Sequence, residues 1–259
     1  MLKNHNNLTL AFFILFFALL YAGCAPLAPK QTYKSDKQAL EAAARIREFN
    51  RGIASSKGTG RVSVTGKETR MQYRIAWAAK SPDQARITLI SSGMPVETIL
   101  FNRNRITLYS HTGEHPVKEY KSGNPSLERF LSVPVRMKDI ISVLTGKIPL
   151  QPFDRACFAE NDDRKASRRI MLDDRSGKKT QMLCLDSDME RIRKLGLMEK
   201  NGGTIYKIGF SGLQKFESFK IFTRLTISGE AGESAVFRIK SFKENPDLKD
   251  SVFNLTTSE

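Results

Sequence analysis

Two histidines flank a carboxylate in "HTGEHP", with His111 and His115 around Glu114, a donor set that suits zinc. Their i, i+4 spacing contains Gly113 and ends before Pro116, so they cannot share the rigid helical turn of an H-x-x-x-H site. The stretch reads as a loop with two solvated histidines, and no metal is expected. Paired aspartates occur in "ENDDR" and "LDDRSG", and two convergent carboxylates can hydrolyse a glycosidic or ester bond. Both pairs fall where turns are expected, however, and Asp is common in turns for backbone reasons. The chain lacks G-x-S-x-G, and "TGKIPL" lacks the upstream glycine of a phosphate loop. We therefore assign no catalytic residue, no cofactor and no enzymatic activity from sequence. A hydrolase stays open only as a third class of reading, requiring the aspartates to converge.

The residue whose setting does imply chemistry is Cys24, in "LLYAGCAP". Ahead of it lie Lys3 and the almost wholly apolar run "LTLAFFILFFALL", too short for a spanning helix of roughly 20 residues. Basic, apolar and small-residue segments in that order read as a secretory signal over residues 1–23. Tyr21-Ala22-Gly23-Cys24 resembles the lipobox of bacterial lipoproteins, with Tyr21 departing from the usual leucine. That resemblance implies cleavage before Cys24 and acylation of its thiol. Several acyl chains, each buried at about 0.8 kcal/mol per methylene, would give stable anchoring. Ala25 follows where an aspartate would resemble an inner-membrane retention signal, which favours the outer membrane, on its periplasmic face. Residues 24–38, rich in Pro and Lys and without periodicity, read as a flexible tether.

Residues 39–259 fit one domain. The formal charge of +15 could suit nucleic acid, but no zinc-ligand spacing or RNP-like motif accompanies it. For a secreted, tethered protein the anions met first are lipid head groups. A merely solvated surface is an equal reading, because the charge is spread along the chain. Beyond Cys24 only Cys157 and Cys184 remain. On apparently neighbouring strands in an oxidising space they admit a disulfide or two separate buried thiols.

Stepping along the chain, "SDKQALEAAARIREFNRGI" predicts an amphipathic helix from Ser35 to Ile53. From Gly58 the period becomes two: "GRVSV", "MQYRIAWA", "ARITLIS", "VETILFN" and "RITLYS" predict a meander of five strands. "NPSLERFLS" and "VRMKDIISVLTG" predict two short helices with one apolar face each. Six more strands follow, among them "SFKIFTRLTISG", in which Phe219, Ile221, Thr223, Leu225 and Ile227 alternate with Lys220, Phe222, Arg224 and Thr226. The expected fold is mainly β with a few helices. It is an incomplete, half-open antiparallel barrel of about eleven strands with a helical lid.

One connection is unusual: Met94-Pro95-Val96 stands between two strands where Asn, Asp or Gly is the rule. Either the tip folds back onto the core, or it is an apolar finger for an acyl chain or membrane. The lipobox, the N-terminal helix, "GRVSV" and "YRIAW", "ARITLISSGMPVETIL" and the helices ending in "LTGKIPL" together resemble the LolA/LolB lipoprotein-carrier superfamily. LolB resembles the chain most closely, because it too is a lipoprotein. The likeness is best from about Arg45 to Leu150, with "NPDLKDSVFNLT" a further match at the end. It implies an apolar cavity under a helical lid and a protruding loop with a bulky tip that delivers lipoproteins into the outer membrane. That loop maps to 91–96, with Met94 in place of the usual leucine.

The expected cavity wall is Val62, Val64, Tyr73, Ile75, Trp77, Ile87, Leu89, Ile99 and Phe101, with Phe130, Ile140, Ile141 and Leu144 on the lid. The expected function is acceptance of acylated lipoproteins from a LolA-like periplasmic carrier and their insertion into outer membrane lipid, by a monomer with no nucleic-acid role. The alternative is an envelope lipoprotein that binds another lipid or a glycan, or a structural component of an envelope assembly.

Overall fold

The first described element is α1 (Lys37–Glu48), which begins two residues inside the predicted tether. Asp36 caps it, accepting hydrogen bonds from the amides of Gln38 (2.8 Å) and Ala39 (3.1 Å), which satisfies donors that the first turn leaves without partners. Its buried stripe is Ala39, Ala42, Ala43 and Ile46. The helix stops short of Ile53 because Asn50 turns left-handed, at φ 56°. The Asn50 side-chain amide donates to the carbonyls of Gly146 (2.7 Å) and Lys220 (2.8 Å), so one residue ties the helix exit to the lid and the sheet.

This computed structural model describes residues 35–255 apart from 69, 160–166, 175–178 and 200–201. Cys24, the segment 1–23, most of the tether and "ENDDR" lie outside the described residues. Lys34–Glu259 is one compact unit.

Thirteen antiparallel strands make one sheet. The first meander comprises β1 (Ser55–Thr65), β2 (Arg70–Lys80), β3 (Gln84–Ser91), β4 (Met94–Asn102), β5 (Arg105–Ser110) and β6 (Lys118–Lys121). Then come α2 (Glu128–Leu131) and α3 (Met137–Leu144). The second meander is β7 (Arg155–Phe158), β8 (Arg168–Asp173), β9 (Lys179–Leu185), β10 (Ile192–Glu199), β11 (Thr204–Phe216), β12 (Phe219–Ser228) and β13 (Ser234–Glu244). The spatial order is β6-β5-β4-β3-β2-β1-β13-β12-β11-β10-β9-β8-β7. The first strand therefore pairs with the last at the centre, and the helical connection joins the two free edges. The sheet stays open, as the half-barrel expectation required. The two strands beyond the expected eleven are β6 and β7, four residues each and too short to show a period. Short edge strands also limit pairing with other chains.

Side chains alternate across the sheet. Val62, Val64, Ile75 and Trp77 are buried beneath the helices, and Arg61, Gln72 and Arg74 are exposed on the other face. The alternation expected of β12 breaks at Ile221 and Phe222, which are both buried. Phe222 is covered by the Phe49 ring at 5.6 Å and the Phe210 ring at 5.4 Å. After β13 comes a 3-10 turn, Asp250–Phe253, and Phe253 and Leu248 are buried against Ala78.

Candidate functional site

The two helices lie over the face of the sheet that carries the buried side chains. Each is positioned by its own sequence. α2 is a single turn that Ser132 ends at φ 54°, and it buries Leu127 and Leu131. α3 has buried side chains at Met137, Ile140, Ile141, Val143 and Leu144 and ends at Gly146, φ 72°. Its last carbonyls are held from below, since the Ser56 hydroxyl donates to the Leu144 carbonyl at 2.7 Å.

Between helices and sheet lies a cavity lined by Val62, Val64, Tyr73, Ile75, Ile87, Leu89, Ile99, Leu127, Phe130, Leu131, Ile140 and Phe237. Its volume is about 30 Å³, room for one or two waters and far below the roughly 300–1,000 Å³ of small-ligand sites. The wall is apolar throughout, with Tyr73 the one side chain carrying a polar atom. An acyl chain fits only if α2 and α3 lift.

Nine of the expected wall residues line this space: Val62, Val64, Tyr73, Ile75, Ile87, Leu89, Ile99, Phe130 and Ile140. Trp77, Phe101, Ile141 and Leu144 do not. They are buried in the continuous core, at the end of the sheet where the C-terminus of α3 packs down. There the Trp77 indole donates to the Ser56 hydroxyl at 3.1 Å. Leu127, Leu131 and Phe237 line the cavity and were missed. The first two share with Phe130 the apolar face expected of the first lid helix but stood outside the expected wall, and Phe237 is brought in by the long-range pairing of β13 with β1, where it opposes Val62.

A polar pair beside this apolar wall also escaped the sequence. The Tyr206 hydroxyl on β11 donates to Asp139 Oδ2 on α3 at 2.5 Å, with both side chains buried. Burial pushes the Asp139 carboxyl above its usual range, opposed by the Tyr206 hydrogen bond and the nearby Arg136 and Lys179 charges. Burial and the Asp139 charge push the Tyr206 hydroxyl up. The pair fastens the middle of the lid helix to the second meander.

Met94 is 69% exposed, so the tip does not fold back onto the core. The tip is a tight hairpin rather than an open loop over 91–96. Ser92 (φ 49°) and Gly93 (φ 85°) form the entire connection, Met94 opens β4, and Ser91 pairs with Met94. Two consecutive left-handed residues suit a tight hairpin. The register then slips between Leu89 and Ile90, which leaves Met94 and Pro95 exposed at the rim.

The remaining candidates are accounted for locally. His115 is not solvated: its Nε2 lies 3.1 Å from Glu97 Oε2, with side chains 19% and 15% exposed. His111 Nε2 lies 2.8 Å from Thr98 Oγ1, and no metal-holding group of three acidic, histidine or cysteine residues occurs among the described residues. Asp173 accepts from the Thr180 hydroxyl at 2.8 Å. No disulfide joins Cys157 to Cys184, both half-buried thiols. The expectation of neighbouring strands is corrected by β8, which lies between β7 and β9. Two strand spacings of about 4.8 Å exceed the roughly 7 Å over which Cα atoms can be bridged.

No protein-family model and no curated protein matches the sequence. Solved structures do match in fold. A DUF1329 family protein from Desulfovibrio piger aligns with TM-score 0.63 over 88% of this chain and 100% of that one, at 13% identity. A LolA superfamily protein from Nitrosomonas europaea aligns with TM-score 0.58 over 86% and 99%, at 14% identity. A candidate outer membrane lipoprotein-sorting domain from Vibrio parahaemolyticus gives TM-score 0.58 over 84% and 96%, at 14% identity. The chain thus has the fold of these proteins.

Proposed function

We propose that this protein is an envelope lipoprotein, anchored through acylated Cys24 to the periplasmic face of the outer membrane, which takes up acyl chains of other lipoproteins and passes them into that membrane. The observation that carries the reading is the wholly apolar wall between an open sheet and two short helices. Lifting α2 and α3 would expose the wall of β1 to β4 to an incoming chain. Each buried methylene contributes about 0.8 kcal/mol, so a partly inserted chain is held without covalent chemistry. A bilayer is the competing apolar phase for release, and the exposed Met94 at the rim is a flexible, polarizable side chain suited to entering it.

In this reading the donor is a LolA-like periplasmic carrier and the acceptor is outer membrane lipid. The test is depletion of the protein followed by membrane fractionation. The expected result is retention of other lipoproteins away from the outer membrane, and normal sorting would overturn the proposal.

A further inference from the structure

We propose that the sheet face opposite the lid is a docking surface for anionic lipid, built on a row of four arginines. Arg74 of β2 pairs with Arg61 of β1, Arg61 with Arg238 of β13, and Arg238 with Arg224 of β12. All four are exposed. At about 4.8 Å per strand the row spans about 14 Å. Like charges directly opposite one another destabilise a sheet. None of the four has an ion-pair partner among the described residues. The residues two positions away from them along the strands are Thr59, Ser63, Gln72, Ala76, Phe222, Thr226, Val236 and Lys240, of which none is acidic.

The row also encloses a hollow. The register of β1 slips at Thr59/Gly60, and Arg61, Arg74 and Lys240 line the resulting depression of about 210 Å³. A side chain at Gly60 would meet the Arg238 carbonyl oxygen at 2.5 Å, so the slip keeps that strand crossing close. Three cations around one depression suit a phosphate oxyanion.

A lipid surface fits better than an acidic protein because the row continues into apolar side chains at the rim. Arg74 pairs with Ile90, and Ile90 with Pro95, next to the exposed Met94. Cations beside an apolar tip match the boundary between head groups and acyl chains. The inference rests on the preceding functional reading only in taking a membrane as partner. Lipoprotein sorting and the measurement below are separate, so either can fail alone.

The test uses the full chain reconstituted on vesicles of phosphatidylcholine alone or mixed with phosphatidylglycerol. Phenylglyoxal modification of individual arginines is followed by mass spectrometry. We expect Arg61, Arg74, Arg224 and Arg238 to react about fivefold more slowly on the anionic vesicles, with Arg103, at the opposite end of β4, unchanged. An Arg61→Glu/Arg238→Glu double variant should abolish the slowing at Arg74 and Arg224. Equal rates on both vesicles, or protection that persists in the double variant, would overturn the proposal. So would equal protection on phosphatidylcholine by inorganic phosphate, which marks an ion site, or protection by polyglutamate alone, which marks an acidic protein partner.

Discussion

The Tyr206 hydroxyl and the Asp139 carboxylate, 67 positions apart in the chain, meet at 2.5 Å between β11 and α3. Asp139 is the one carboxylate among the buried described residues of the lid, and its hydrogen bond with Tyr206 reaches across to the opposite half of the sheet. The pair thus adds a buried polar fastening at the middle of the lid to those at its C-terminal end, where Ser56 holds the Leu144 carbonyl and Asn50 the Gly146 carbonyl.

Removing the donor leaves a buried carboxylate without it. Tyr206→Phe should lower stability by about 1–3 kcal/mol, read by urea unfolding. Adding Asp139→Asn to that variant should recover part of the loss, since no buried charge then remains.

The raised carboxyl pKa of Asp139 sets a pH dependence. Between its ordinary value of 3.8 and the raised one, the folded state binds more protons than the unfolded state. Its contribution is therefore complete below the ordinary value and is lost as pH rises through the raised one. Asp139→Asn keeps an acceptor for Tyr206 and removes the titration. The gap in Tm between variant and wild type should open in the variant's favour as pH rises, and a pH-independent gap would contradict the assignment.

Exposure separates two hydrophobic residues near opposite ends of β4. Met94→Glu should change stability by less than about 0.5 kcal/mol, because Met94 is 69% exposed, while impairing delivery of bound cargo to vesicles. Phe101→Ala, at a fully buried site, should cost about 3–5 kcal/mol. Thermal unfolding and a cargo-transfer assay read the two effects.

Ile140→Ala, at the cavity wall, should cost about 2–4 kcal/mol and enlarge the cavity. Binding of a fluorescent fatty acid should tighten if lid closure limits entry.

Gly58 has no room for a side chain, since a Cβ would lie 2.2 Å from the Trp77 ring and 2.5 Å from the Ser241 carbonyl oxygen. The backbone oxygen cannot rotate away. Gly58→Ala should destabilise by about 1–3 kcal/mol, with reduced near-ultraviolet dichroism from Trp77.

The sequence by itself determined the longer elements, all but the four-residue strands β6 and β7. A period of two from Gly58 onward, a helical stripe before it and an apolar pair of helices between two runs of strands fixed a mainly β fold with a lid. Most of the cavity wall followed, because alternation alone decides which side chains share a face. Local spacing also argued against a helical zinc site and a phosphate loop, through Gly113, Pro116 and the missing upstream glycine.

What required the tertiary structure was everything that depends on which strands are neighbours. Closure of the chain ends by β1 against β13 brings Phe237 to the wall and lines up Arg74, Arg61, Arg238 and Arg224. The insertion of β8 between β7 and β9 keeps Cys157 from Cys184, and the burial of Asp139 beneath the lid makes it a partner for Tyr206. Local periodicity specifies a face, whereas a neighbour across a sheet is chosen by the packing of the whole chain, and no stretch of sequence around either residue records it.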